Sequence, residues 1–102
     1  DDLKAKLAND SPFWSVETVS AGTYEGMDKD IQTPVQRILL SVRKGMDPDV
    51  VYEMTKAIYE NLDQLKTYHA SAASIRVDVA HITSIELNEG AERYFKEIGN
   101  LN

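Results

Sequence analysis

A chain of 102 residues is one domain's worth of protein, with room for a modest core and no more. Hydrophobic and charged contents of 42% and 27% are those of an ordinary globular protein, and a net charge of -6 argues against a nucleic-acid backbone or an anionic membrane surface as partner. With no cysteine, disulfides, thiolate zinc sites and cysteine nucleophiles are excluded, and no apolar run reaches the roughly 20 residues of a membrane span.

Leu3, Ala5, Leu7 and Ala8 predict a short opening helix, stopped at "NDSP" because Pro12 disfavours helical backbone at Ser11. Phe13, Trp14, Val16 and Val19 then make a bulky patch, a short strand or an extended packing segment. The glycine loop "SAGTYEGMDKD" follows, from Ser20 to Asp30. "VQRILLSV", Val35 to Val42, reads as a strand with Pro34 just before its start. Its consecutive Ile38, Leu39 and Leu40 predict burial on both faces.

The clearest local pattern is "DPDVVYEMTKAIYENLDQLKTY". Asp47 is a natural N-cap, since its carboxylate accepts from free first-turn N–H groups. Pro48 at the first helical position gives up an N–H that had no partner anyway. Met46 and Val51 occupy the positions of a hydrophobic staple. Val50, Val51, Met54, Ala57, Ile58, Leu62 and Leu65 form one stripe at helical spacing. "HASAASIRVDVAHITSIEL" has no settled period and predicts a short helical segment or a turn. In the closing "NEGAERYFKEIG", Asn88 can cap a helix whose Ala91, Tyr94, Phe95 and Ile98 share a face, and Gly99 is placed as its stop.

The chemical readings of these segments mostly fail on their own terms. A phosphate cradle needs a Lys and closely spaced N–H groups, but Glu25, Asp28 and Asp30 surround Gly22 and Gly26 and would repel a phosphate. A calcium loop begun at Asp28 would need its closing Glu at the position that Leu39 holds. His69 and His81 lack the paired spacing of metal ligands, and no serine sits in a nucleophile elbow. They read as surface or capping histidines, the carboxylates as solvated, and the chain as no enzyme. Tyr52, Tyr59, Tyr68, Tyr94 and Phe95 lie on or beside helical stripes and read as packing residues. Tyr24 is different: it stands between glycines in a loop, where a ring and a hydroxyl can meet a ligand.

Three segments together resemble one family. "VSAGTYEGMDKDIQTPV" is similar to its pattern "IPAGTYPGQDEDVPTV"; "DPDVVYEMTKAIYENLDQLKTYHAS" resembles its acidic residue, Val-Tyr, "ITKALFEN" and downstream His; "LNEGAERYFKEIG" resembles its closing "LHPGAERYYREIG". The family is the TAXI group of TRAP-associated extracytoplasmic solute receptors. The resemblance covers nearly all of this chain and about the last third of a whole receptor. It departs at Ser20 and Glu25, where the family favours proline, and at Asn88 and Glu89, which replace His-Pro.

The resemblance implies an α/β fold: a C-terminal fragment of a bilobed type II periplasmic-binding-protein fold, with few strands and closing helices. It implies a periplasmic receptor that captures a small amino acid or organic acid for the membrane subunits of a TRAP transporter, without cofactor or metal. Gly22 would give backbone room beside the cleft, with Thr23 and Tyr24 facing the solute. Apolar stripes left open on such a fragment predict self-association. The alternative from the residues alone is a small acidic α/β interaction domain without catalytic activity.

Overall fold

The computed structural model describes residues 2–11 and 14–102, and the chain divides into a unit ending at Leu39 and a second from Leu40 to Asn102. Pro12 and Phe13 of the sequence reading lie outside the described residues. The fold is mixed α/β, with elements in the order helix, two strands, two helices, a 3₁₀ turn and a last helix.

In the first unit, α1 (Asp2–Asp10) precedes an antiparallel ribbon of β1 (Trp14–Val19) and β2 (Ile31–Gln36), in which Trp14 stands opposite Gln36 and Val19 opposite Ile31. Leu3 and Leu7 of α1 and Val16 and Pro34 of the ribbon line an open groove of about 360 Å³, and Lys4 donates to the Gln32 amide oxygen.

The strand expected at Val35–Val42 lies earlier, at Ile31–Gln36, and Pro34 sits inside it rather than before it. The register decides this. Once Val19 pairs with Ile31, β1 is used up at Trp14 opposite Gln36, and the described chain offers residues 37–42 no strand to pair with. Both strands are edges, so a proline without an N–H is tolerated at the Val16 pair. Ile38 is then wholly exposed and Leu40 is 77% exposed, the reverse of the two-sided burial their sequence predicts.

The second unit is built on α2 (Pro48–Glu60) and α4 (Glu89–Glu97), with α3 (Leu62–Tyr68) and a 3₁₀ turn (Ala70–Ser74) between them. The Asp47 carboxylate accepts from the Asp49 N–H at 2.9 Å, the expected N-cap with Pro48 in the first turn. The single long helix of the sequence reading is split at Asn61. Its side-chain amide donates to the Ala57 carbonyl at 2.7 Å and its own N–H turns to Ile58 at 3.3 Å, so the α-helical ladder is interrupted there.

The packed stripe is also rotated from the one expected. Val51 is buried, Tyr52, Thr55, Ile58, Tyr59 and Leu62 are half-buried, and Val50 and Met54 stay 46% and 40% exposed. The reason is α4, whose first turn meets the first turn of α2 at Gly90. A Cβ on that glycine would lie 1.9 Å from the Pro48 carbonyl oxygen and 2.7 Å from the Tyr52 nitrogen. Only a residue without a side chain allows that approach. It turns the Val51–Tyr59 side of α2 toward α4.

Around this contact the two helices are tied at several levels. Tyr59 stacks on Tyr94 with ring centroids 6.1 Å apart, and its edge contact with Phe95 is at 5.6 Å. Tyr94 and Phe95 are buried, while Ile98, expected on the same face, is 41% exposed. Arg93 bonds the Asp49 carboxylate at 2.9 Å and lies 4.4 Å over the Tyr52 ring, whose hydroxyl donates to Glu97 at 2.6 Å. Asn88 caps α4 by accepting from Gly90 at 2.8 Å and donates to the Met46 carbonyl at 3.3 Å. At the other end Gly99, with φ of 79°, closes the helix: it donates to Lys96 at 3.1 Å and Asn100 donates to Phe95 at 2.9 Å.

This core is small for the chain. Among the described residues the buried apolar side chains are Val51, Tyr94 and Phe95, and the accessible surface is 7968 Å². Two separate compact globules of these lengths would expose only about 7,000 Å².

Gly90→Ala is expected to destabilise the second unit by about 2 kcal/mol, the overpacking cost of a methyl with nowhere to go. An unchanged urea midpoint of the helical signal would show that α4 slides off freely. Burial raises Tyr59 and Tyr94 above the ordinary tyrosine value of 10.0, so the folded state holds these protons more tightly than the unfolded chain. That contribution is complete below pH 10.0 and is lost as pH rises through the raised values. Stability measured against pH should therefore fall above that point, and fall less in the Tyr59→Phe, Tyr94→Phe double variant.

Candidate functional site

The three candidate residues Gly22, Thr23 and Tyr24 lie together on the loop joining β1 to β2. The loop is not slack. Its Gly22 N–H donates to the Met27 carbonyl at 2.8 Å, which closes a ring of six residues across the tip. On one side of that bond Thr23 N–H reaches Ser20 O at 3.2 Å; on the other Met27 N–H reaches Tyr24 O at 3.1 Å. Each is a four-residue turn with a glycine at its third position, and Gly22 and Gly26 both have φ of 80°. That is the geometry of type II turns, which only glycine adopts freely at that place.

Two further bonds fix the base. The Thr23 hydroxyl donates to Ser20 O at 2.7 Å, and the Asp30 carboxylate accepts from the Ala21 N–H at 2.8 Å. Asp30 is thus not merely solvated, as its sequence suggested; it ties the end of the loop back to its beginning. Nothing short of the loop register could have identified it, because nine residues separate it from Ala21.

The donors of Gly22 and Thr23 are therefore turned inward, on the loop's own frame. Thr23 keeps its hydroxyl lone pairs for an outside donor. Tyr24 is 69% exposed, with ring and hydroxyl in solvent, on a backbone held by the bond from Met27. A rigid loop that holds out one amphipathic ring is suited to contact a small polar molecule, since little ordering is left to be done on binding. Met27 is half-buried, whereas Glu25, Asp28 and Lys29 are exposed.

The other residues weighed as chemical groups are spread over the second unit. His69 is a cap: its Nδ1 accepts from the Ser71 N–H at 3.1 Å and starts the 3₁₀ turn. His81 is half-buried, edge-on to Phe95 at 6.4 Å, with Nδ1 enclosed and without a hydrogen-bond partner. Asp78 is held below the usual carboxylate range by its bond to Arg76. The Tyr52 hydroxyl, bonded to Glu97 of α4, is raised above the ordinary tyrosine value by that bond. Among the described residues no group of His, Asp or Glu is arranged to hold a metal ion.

The turn chemistry makes a prediction. Glu25 occupies the second position of the Tyr24–Met27 turn, where proline is pre-set for type II geometry. Glu25→Pro should stabilise the protein by about 0.5 kcal/mol, and Gly26→Ala should cost about 1 kcal/mol. Urea midpoints moving in the same direction for both variants would contradict the assignment.

Residues 1–99, loop and helices alike, match the model of the NMT1-like family. The chain belongs to this family, which is one of periplasmic solute-binding proteins. Among the described residues no helix is long and apolar enough to cross a membrane.

Proposed function

We propose that this chain, as an NMT1-like protein, serves solute capture of the TAXI kind. It binds a small amino acid or organic acid in the periplasm and presents it to the membrane subunits of a TRAP-type transporter. It performs no chemistry on the solute and carries no cofactor. The loop contributes through Tyr24, with the Thr23 oxygen as a second, accepting contact and Gly22 setting the turn that aims both.

The observation that carries this reading is the pairing of family membership with a preformed loop. The backbone of residues 20–30 is tied by its own turns and by the Asp30 carboxylate, while Tyr24 is left exposed. A tyrosine kept only for stability would be expected against a packing partner. The acids on the loop, Glu25 and Asp28, disfavour close approach of a bare anion. The solute's carboxylate would accordingly be met by positive groups elsewhere, and its neutral or amino part would face Tyr24.

The bilobed architecture of the TAXI group fits the surface of this chain. An excess of about 1,000 Å² over two compact globules is what faces built to be covered by further polypeptide would show. On this reading the 102 residues alone supply only part of a cleft.

Calorimetric titration with a panel of amino and organic acids tests the proposal. In a receptor containing this chain, Tyr24→Ala should weaken binding of the preferred solute about tenfold, the loss of one ring contact and one hydrogen bond. Tyr24→Phe should lose only part of that. Affinity unchanged in Tyr24→Ala would remove the loop from the site.

A further inference from the structure

On the approach to α2, residues 38–45 donate no backbone hydrogen bond to any described residue. Ile38 is wholly exposed, Leu40 largely so, and Arg43, Lys44 and Gly45 are exposed as well. One turn interrupts the run: the Met46 N–H donates to the Arg43 carbonyl at 3.1 Å, with Gly45 at φ of 81°. Inside that turn the Lys44 carbonyl and the Gly45 N–H bond to no described residue. Neither Arg43 nor Lys44 forms an ion pair among the described residues. Two adjacent free cations on unpaired backbone are what an endoprotease can grip.

We propose that the Lys44–Gly45 bond is a processing site for a trypsin-like endoprotease. Extended chain is held through its own free N–H and C=O groups, which residues 38–45 offer. An enzyme of this class seats a Lys or Arg in a pocket that carries an acid. Opening the site breaks a single hydrogen bond, that of the turn. In the cut, water supplies the hydroxyl that ends on the Lys44 carbonyl carbon. Its proton ends on the Gly45 nitrogen as the C–N bond breaks.

The other cations are worse placed. Lys29 lies between Asp28 and Asp30, whose charges oppose an acidic pocket, and Asp30 is tied back to Ala21 at 2.8 Å. Arg37 follows directly on Gln36 of the ribbon and pairs with Glu17 at 3.8 Å. Arg76 bonds the Asp78 carboxylate at 3.1 and 2.5 Å. The rest lie within α1, α2, α3 and α4. Helical backbone must first unfold to enter such a cleft.

The cut would fall just before the ties of the helical unit. The Met46 carbonyl that accepts from Asn88, the Asp47 cap and the Pro48 approach of Gly90 all lie beyond residue 45. The helices keep these ties after cleavage, while the segment with Tyr24 leaves their chain. The inference does not depend on the solute.

Limited digestion of the 102-residue protein with trypsin, followed by intact mass, tests this. Fragments 1–44 and 45–102 should appear first, with the helical circular dichroism of 45–102 retained. The Arg43→Gln, Lys44→Gln double variant should remain whole at a dose that converts the parent. Gly90→Ala, placed above as loosening the helix pair, should leave the rate of this first cut unchanged. A first cut after Lys29, Arg37 or Arg76 would overturn the proposal. So would a rate raised about thirtyfold by Gly90→Ala, since cleavage would then run through unfolding of the helices. Loss of the helical signal along with the cut would also overturn it, by making the bond a point of degradation.

Discussion

The contact at Gly90 is the constraint on which the second unit depends. A backbone approach that leaves no room for one methyl group fixes how α4 lies on α2. From it follow the stacking of Tyr59 on Tyr94, the reach of Arg93 to Asp49 and the bond from Asn88 to the Met46 carbonyl. The exposed ion pairs contribute little singly. Their value is in register: each is available only if the two helix starts sit against one another. The same constraint chooses which side of α2 stays exposed, with Val50 and Met54 on it.

The loop of the first unit obeys a different economy. It has no apolar core to hold it, and its order comes from consecutive turns, two glycines at positive φ and the Asp30 carboxylate. That arrangement lets an exposed segment be stiff. A stiff exposed segment is useful where a side chain must be presented without loss of freedom on binding, which is the role proposed for Tyr24. The departures from the TAXI pattern bear on this directly. Glu25 gives up the rigidity that proline would lend to the second turn, and Ser20 uses its carbonyl, which any residue possesses, as the acceptor for Thr23.

What was legible in the sequence was local. Asp47 and Asn88 as caps, Pro48 at the first helical position and Gly99 as a stop each act within a few residues, so the chain states them openly. The position of the glycine loop was legible for the same reason, though the tie from Asp30 to Ala21 was not. The failures were of longer range. "RILLSV" has the composition of a buried strand, but pairing needs a second strand in register, and residues 31–36 took β1 first. Helical periodicity placed Val50 and Met54 inside because an apolar stripe marks what can be buried, not what is. The choice fell to Gly90, forty residues on, which in sequence reads only as a small residue near a helix start. Asn61 broke the long helix through a side-chain bond that composition does not predict. Order and spacing along the chain pointed to a solute receptor of the TAXI group, and residues 1–99 bear out the broader part of that reading, an NMT1-like solute-binding protein.

Contact between the Ser20–Asp30 loop and a solute is what the proposed function requires first. It is tested most directly by following its backbone amides by ¹⁵N NMR while amino and organic acids are added at millimolar concentration, where even a partial cleft registers. Saturable shifts are expected at Gly22, Thr23, Tyr24 and Gly26 for a restricted set of these acids. Those shifts should vanish in Tyr24→Ala, with the Gly22 to Met27 hydrogen bond still protected from exchange. Saturable binding that moves other amides and leaves this loop untouched would contradict it.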